Sequence, residues 1–256
     1  MRKLMLVLAA FASGLVLAAA AGAITYGAPD ENAHPEVGAL LAPVAYSDGT
    51  WAACTGTLIS PTVFLTAAHC DLGSSRVEVT FASRFDRVTS KTYWGTWYAD
   101  PGYNQSQSDP QDIAVVVFGG NGVKGITPAR LPTLNSLAGL SGSQQFTSVG
   151  YGAQSVTNDP GGKTLQYADV RYVATGTLNS INPAWLRISQ NPSTGNGGTC
   201  YGDSGGPNFL GAGSGETNIV AATTITGDAF CRSTNVDYRL DTPAARAFLG
   251  RFVTLP

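Results

Sequence analysis

Six consecutive residues, Gly202-Asp203-Ser204-Gly205-Gly206-Pro207, set a serine inside a glycine run, one position after an aspartate. Glycine reaches backbone angles that residues with side chains resist. The loop can therefore turn sharply, expose the Ser204 hydroxyl and aim neighbouring N–H groups at one point. Acyl transfer needs that combination: a nucleophile beside a preformed hole for a developing oxyanion. The plainer reading is a glycine-rich surface turn, because the chain has 31 glycines. Six particular residues in order are far rarer than such a turn.

A serine hydroxyl is a poor nucleophile near neutral pH and needs a base within hydrogen-bond reach. Histidine is the usual one, because its pKa lies close to operating pH. The chain offers two, His34 and His69. His69 closes Leu65-Thr66-Ala67-Ala68-His69-Cys70, an apolar strand running into small residues, which can hold an imidazole with little freedom. His34 precedes Pro35 in the polar stretch Asp30-Glu31-Asn32-Ala33 and reads as a surface residue. His69 is thus the candidate base. A carboxylate must fix its tautomer. Asp112 heads the apolar run Ile113–Phe118, where an acid is costly unless paired. Asp112 could instead cap a turn after Pro110-Gln111, and Asp109 is a weaker rival.

The elements around these residues read as short strands. Gly56–Ile59, Val63–Ala67, Arg76–Phe81, Ile113–Phe118, Gln145–Tyr151, Tyr167–Val173, Trp185–Ser189 and Ile219–Ile225 are apolar or alternating runs punctuated by Gly, Pro, Asn and Asp. That pattern predicts an all-β antiparallel sandwich or barrel. One helix is predicted: Thr242 caps it, Pro243 opens it, Ala244–Leu249 form it, Gly250 ends it, and Phe248 and Leu249 dock it. A shorter helix or turn falls near Ala67–Leu72. Lys124–Leu134, with Gly125, Pro128 and Pro132, reads as a connector between two halves, or as a loop within one barrel.

The chain opens with Arg2 and Lys3, an apolar run from Leu4 to about Ala21, and the small-x-small sequence Ala21-Gly22-Ala23. This predicts a signal peptide over residues 1–23, removed on export. A membrane anchor is the competing reading, although Ser13, Gly14 and many alanines interrupt the run. Losing Arg2 and Lys3 takes the formal net charge from −2 to −4. That weak acidic balance argues against nucleic acid as a partner. The remaining length suits one large domain or two small ones sharing a core. Export makes disulfides the favoured state of Cys54, Cys70, Cys200 and Cys231. Four cysteines allow three pairings, and spacing does not choose among them. A zinc site fits poorly, with no Cys-x-x-Cys and only two histidines.

Several motifs in order make the chain resemble the chymotrypsin/trypsin-like serine proteases. Gly56-Thr57-Leu58-Ile59 leads into the histidine motif at Leu65–Cys70, Asp112-Ile113-Ala114 looks like the aspartate motif, and Gly202–Pro207 is similar to the serine motif. The resemblance runs from Ile24 to the C-terminal helix. It implies two antiparallel six-stranded β-barrels, over 24–130 and 131–256, with the C-terminal helix in the second part. It also implies that Ser204 attacks, His69 moves the proton, Asp112 orients His69, and the N–H groups of Gly202 and Ser204 form the oxyanion hole. The pairings Cys54–Cys70 and Cys200–Cys231 follow from the same resemblance. So does an activating ion pair between Asp203 and a freed Ile24 ammonium, because Ile24-Thr25-Tyr26-Gly27 resembles the family's mature start and directly follows Ala23. The sparse cysteines look more like microbial secreted members.

The resemblance places Gly198, Thr199, Tyr201 and Gly227 at the substrate. Trypsin-like members carry an acid six residues before the serine, and here that position is Gly198. Cleavage after an uncharged residue is therefore expected, unless Asp228 or Asp237 reaches the pocket floor. Ile225-Thr226-Gly227 stands where the family usually has Ser-Trp-Gly, and Val236 would narrow the lower pocket. No calcium loop is evident, and the chemistry needs no cofactor or metal. The implied protein is a secreted, monomeric endopeptidase acting on proteins or peptides, with no membrane partner after signal removal. Two readings compete with it: a catalytically silent homologue that acts by binding, and an unrelated secreted β-module.

Overall fold

The structure, a computed structural model, describes residues 24–105 and 110–256. The expected signal peptide and the rival Asp109 lie outside the described residues. Seven strands belong to the first part: β1 (Ala28–Pro29), β2 (Val37–Leu41), β3 (Ala52–Ser60), β4 (Val63–Thr66), β5 (Arg76–Thr80), β6 (Thr92–Ala99) and β7 (Ala114–Phe118). Strands β2 to β7 close into an antiparallel barrel in the order β2-β3-β4-β7-β6-β5. Closure leaves no open sheet edge. Strands β4 and β7 carry the nearly continuous apolar sequences VFLT and AVVVF and are almost wholly buried. Phe64, Phe81, Phe118 and Tyr93 pack at the barrel's centre with ring centroids 5.7–6.5 Å apart, in mostly edge-on geometries.

After the connector at residues 119–144 come β8 (Gln145–Gly150), β9 (Ser155–Asp159), β10 (Gly162–Gln166), β11 (Tyr172–Ile181), β12 (Trp185–Ser189), β13 (Pro207–Leu210), β14 (Val220–Gly227) and β15 (Thr234–Arg239). The order β11-β12-β15-β14-β13-β8, with β8 returning to β11, closes a second six-stranded antiparallel barrel. Strands β9 and β10 form a separate hairpin. The fold is thus all-β with two six-stranded barrels, as the sequence resemblance implied.

Each end of the described chain crosses to the other barrel. Strand β1 adds to β11 of the second barrel. Helix α1 (Pro243–Leu249) is capped by Thr242 Oγ1, which accepts from Ala245 N–H at 3.2 Å, and it buries Ala245, Phe248 and Leu249. The segment after it brings Phe252 to 5.5 Å from Tyr98 on β6 of the first barrel. Gly250 ends the helix in a right-handed conformation.

Two local expectations need correction. Tyr167–Val173 is not one strand: β11 starts at Tyr172, because Asp169 adopts a left-handed backbone (φ +48°) and turns its carboxylate onto the N–H groups of Trp51 and Ala52. His34 is not a surface residue. It is 8% exposed, stacks on Phe209 at 5.4 Å, and places both ring nitrogens on carboxylates: Nδ1 on Asp30 and Nε2 on Glu216 at 2.6 Å. Arg171, fully buried, donates to the same Asp30 at 2.7 Å and to the carbonyls of Val37 and Phe81. A buried charge is tolerated only when paired in this way. The resulting lattice ties the N-terminal segment to both barrels.

Candidate active site

A cleft of about 460 Å³ runs between the barrels, and His69, Asp112 and Ser204 all line it. His69 sits in a single 3₁₀ turn, Ala68–Cys70, at the end of β4. The Cys54–Cys70 disulfide ties that turn to β3. Asp112, 2% exposed, accepts the His69 backbone N–H at 2.9 Å and faces its Nδ1 at 2.7 Å. One carboxylate thus fixes both the backbone and the ring of His69, which leaves Nε2 as the nitrogen free to exchange a proton. The disulfide leaves no thiolate beside His69, although Cys54 and Cys70 come close enough to suggest a metal group.

Ser204 comes from the second barrel, on the loop between Cys200 and β13. Its carbonyl accepts from Thr55 N–H at 2.9 Å, so the first barrel holds the Ser204 backbone in place. Thr55 Oγ1 also donates to the Gly202 carbonyl at 3.0 Å and accepts Tyr151 N–H at 3.0 Å. Gly202 (φ +93°) and Gly205 (φ +81°) both occupy the left-handed region. A Cβ on Gly205 would lie 2.1 Å from Thr66 Oγ1 and 2.5 Å from the Thr55 carbonyl, so the loop packs too closely to the first barrel for any side chain there. The Cys200–Cys231 disulfide fastens the start of the loop to the far wall of the cleft.

Asp203 is fully buried, and its carboxylate accepts N–H groups of Gly152 and Cys200, each at 2.8 Å. Burial pushes this carboxyl up to about 7, against the opposing pull of the two donors. Among the described residues no Lys, Arg or His forms an ion pair with it. Ile24 is fully buried with Val170, Tyr172 and Ala174, and its nitrogen is a peptide amide in the unprocessed chain. Next to it, Thr25 accepts Gly198 N–H on its carbonyl at 3.0 Å and donates its hydroxyl to the Cys231 carbonyl at 2.7 Å.

Of the expected substrate residues, Thr199, Tyr201 and Gly227 line the cleft, together with Ile225, Thr226 and Asp228. Gly198 lies behind that surface. Gln190, fully buried, packs against it so closely that a Cβ on Gly198 would meet Oε1 at 2.2 Å. Asp237 does not reach the cleft: it is fully buried, Asn208, Thr224 and Asn235 donate to its carboxylate, and burial raises its pKa well above normal. Asp228 does line the cleft. Its carboxylate caps the following loop, accepting N–H groups of Phe230, Arg232, Ser233 and Thr234. Those donors outweigh its burial and hold its pKa below the usual value. Tyr103 and Gln105 also line the cleft, and Gln190 backs it. Sequence reading missed all three, because they come from irregular segments with no motif of their own.

A histidine held by one buried carboxylate and a serine on a clamped glycine loop line the same inter-barrel cleft, an arrangement that suits nucleophilic-serine chemistry. The Trypsin family model matches residues 31–247, and the chain belongs to that family: it is a serine-type endopeptidase. Brachyurin from Leptuca pugilator is 31% identical over 204 residues, covering 73% of this chain and 84% of brachyurin.

Proposed function

We propose that the chain is a secreted endopeptidase working through a Ser204–His69–Asp112 triad and an acyl-enzyme. Ser204 attacks the scissile carbonyl, His69 takes its proton and later returns it to the leaving amine, and Asp112 holds the imidazole and stabilises its charged form. The N–H groups of Gly202 and Ser204 receive the oxyanion. The observation carrying this reading is the convergence of the three side chains on one cleft, with Asp112 bonded to His69 at both positions.

Processing supplies the missing charge. The Asp203 carboxyl is held near neutrality by burial, and a free Ile24 ammonium is the cation that would keep it ionised. Removal of residues 1–23 on export creates that terminus in a single cut. The acyl-side residue of the substrate is uncharged: Gly198 carries no acid, the Gln190 carboxamide backs it, and Asp228 is committed to four backbone N–H groups. Thr199, Tyr201 and Gly227 line the cleft where that residue enters.

A fluorophosphonate probe tests the chemistry. Mass spectrometry should locate the label on Ser204, and His69→Ala should abolish it. Folded, correctly processed protein that takes no label would point instead to a silent binding homologue. Edman sequencing of the active form should begin at Ile24; full activity from a chain beginning at Gly22 sinks the activation scheme. Efficient cleavage after Lys or Arg in a peptide library would overturn the neutral pocket.

A further inference from the structure

Three successive peptide units set the direction of the Gly202 and Ser204 N–H groups. The Gly202 N–H belongs to the Tyr201–Gly202 unit and the Ser204 N–H to the Asp203–Ser204 unit. The Gly202–Asp203 unit lies between them. Each unit is planar, so an anchored carbonyl also fixes the N–H on the same plane. The two N–H groups therefore converge only while the middle unit keeps its orientation. Among the described residues neither N–H donates to a protein acceptor, so both are open to an oxyanion.

All three carbonyls are anchored. Tyr201 C=O accepts Ala153 N–H at 2.7 Å, and Asp203 C=O accepts Gly206 N–H at 2.9 Å. Both of those donors are backbone groups. The middle carbonyl, Gly202 C=O, instead accepts a side chain, the Thr55 hydroxyl, at 3.0 Å. That bond falls where the backbone is least restrained, because Gly202 has no Cβ and sits at φ +93°. Thr55 is itself held firmly. It is fully buried, its N–H donates to Ser204 C=O at 2.9 Å, and its C=O accepts the Thr66 hydroxyl at 2.8 Å. A Cβ on Gly150 would lie 3.1 Å from Thr55 Oγ1, and one on Gly206 would lie 3.0 Å from its Cγ2. The two glycines thus leave the room that the Thr55 side chain fills. Its Oγ1 accepts Tyr151 N–H at 3.0 Å, so the one hydroxyl proton is left for Gly202.

We propose that Thr55 is a positioning residue for the oxyanion hole: its hydroxyl holds the Gly202–Asp203 peptide so that the two flanking N–H groups converge on one oxygen. Thr55 does not line the cleft, so it acts through the loop and not on the substrate. Its effect is felt when negative charge develops on the substrate oxygen, and ground-state binding is left alone. The hydroxyl carries no charge, so this restraint differs in kind from the ion pair proposed for Asp203. The inference rests on the triad and oxyanion reading above.

Thr55→Val keeps the shape of the side chain and removes the hydroxyl; Thr55→Ser keeps the hydroxyl. Both are tested on the processed protein. Fluorophosphonate labelling taken to completion counts working sites, so kcat is read per competent enzyme. Thr55→Val should lower kcat by roughly ten- to a hundredfold with KM nearly unchanged, less than the ~10²–10³-fold cost of deleting an oxyanion donor outright. Thr55→Ser should recover most of kcat. A second readout compares two inhibitors with the same peptide part. The aldehyde forms a hemiacetal with Ser204 and puts its oxygen in the hole, whereas the alcohol binds without forming a bond. Thr55→Val should weaken the aldehyde by about the factor lost in kcat and leave the alcohol unchanged. The aldehyde-to-alcohol ratio is taken within one enzyme, so misfolded protein cancels, and Thr55→Ala carries the same test if Thr55→Val does not fold. An unchanged kcat per site, equal weakening of both inhibitors, or a Thr55→Ser as impaired as Thr55→Val overturns the proposal. Those results with an active wild type remove the Thr55 role alone, whereas a folded, processed wild type that takes no label and cleaves no peptide removes the triad reading with it.

Discussion

The molecule holds two histidine–carboxylate clusters, and they differ in carboxylate number and in exposure. His69 meets a single carboxylate through Nδ1, and its side chain is 32% exposed on a cleft. His34 meets two carboxylates, one on each ring nitrogen, and its side chain is 10% exposed beneath Phe209. Burial alone would push the His34 pKa down, but the Asp30 and Glu216 carboxylates outweigh it and raise the pKa to about 9. A ring with both nitrogens committed and its proton held so firmly cannot serve as a base near neutral pH. A ring with one nitrogen fixed and the other open can. The number of carboxylates on the imidazole separates His34, held as a structural cation, from His69, whose open nitrogen suits the base proposed for it.

The largest effect that would break this comparison lies at the cleft. Asp112→Asn should lower kcat/KM on the order of 10⁴-fold, the scale of tautomer disruption in related triads. Ser204→Ala should cost more, on the order of 10⁶-fold. Thermal melts of both variants should show the native fold retained. A loss of folding rather than activity in Asp112→Asn would mean that this cluster too is chiefly structural.

At the other cluster the signs should reverse. His34→Ala leaves Asp30 with Arg171 and Glu216 with the Thr147 hydroxyl, and losing the charged hydrogen bonds to both costs about 1–3 kcal/mol. Chemical denaturation should show that loss, while kcat/KM of the protein that remains folded stays within a few-fold of wild type. An inactive His34→Ala with unchanged stability would contradict the assignment.

The same contrast explains what the sequence made legible. The cleft cluster was readable because each member carries a local signature: His69 ends an apolar strand, Asp112 heads one, and Ser204 sits in a glycine loop. The His34 cluster was not readable, because its partners arrive from far along the chain. Glu216 lies 182 residues from His34, and Arg171 lies 141 from Asp30. A polar stretch such as Asp30–Ala33 resembles a solvated turn until Arg171 is known to be buried against it. The strands show the same limit. Trp185–Ser189 and Arg76–Thr80 alternate or are cleanly bounded and were read nearly to the residue. Val37–Leu41 was missed, because it is buried on both faces and offers no alternation. The β10–β11 region was misread because Asp169 breaks the strand for a contact 118 residues away.

The smallest expected effect is the sharpest test of what holds His34. Its folded pKa, about 9, lies above the ordinary 6.5 of the unfolded chain. A raised histidine pKa adds stability that is fully present below about pH 6.5 and is lost as pH rises through 9. The difference corresponds to about 3 kcal/mol at most. Asp203, pushed up to about 7 by burial, also titrates in that window, so the wild-type curve alone cannot isolate His34. Of the carboxyls coupled to His34, Asp30 and Glu216 are held below their usual values, whereas burial raises Glu36 above its own. Subtracting the unfolding free energy of His34→Gln from that of wild type at each pH removes the groups that do not touch His34 and leaves the histidine with its coupling to Glu36. The difference should be constant up to about pH 6.5 and fall steadily towards pH 9. A flat difference across that range would mean that the imidazole is held neutral by its packing on Phe209, and the distinction between the two histidines would then rest on burial rather than on carboxylate number.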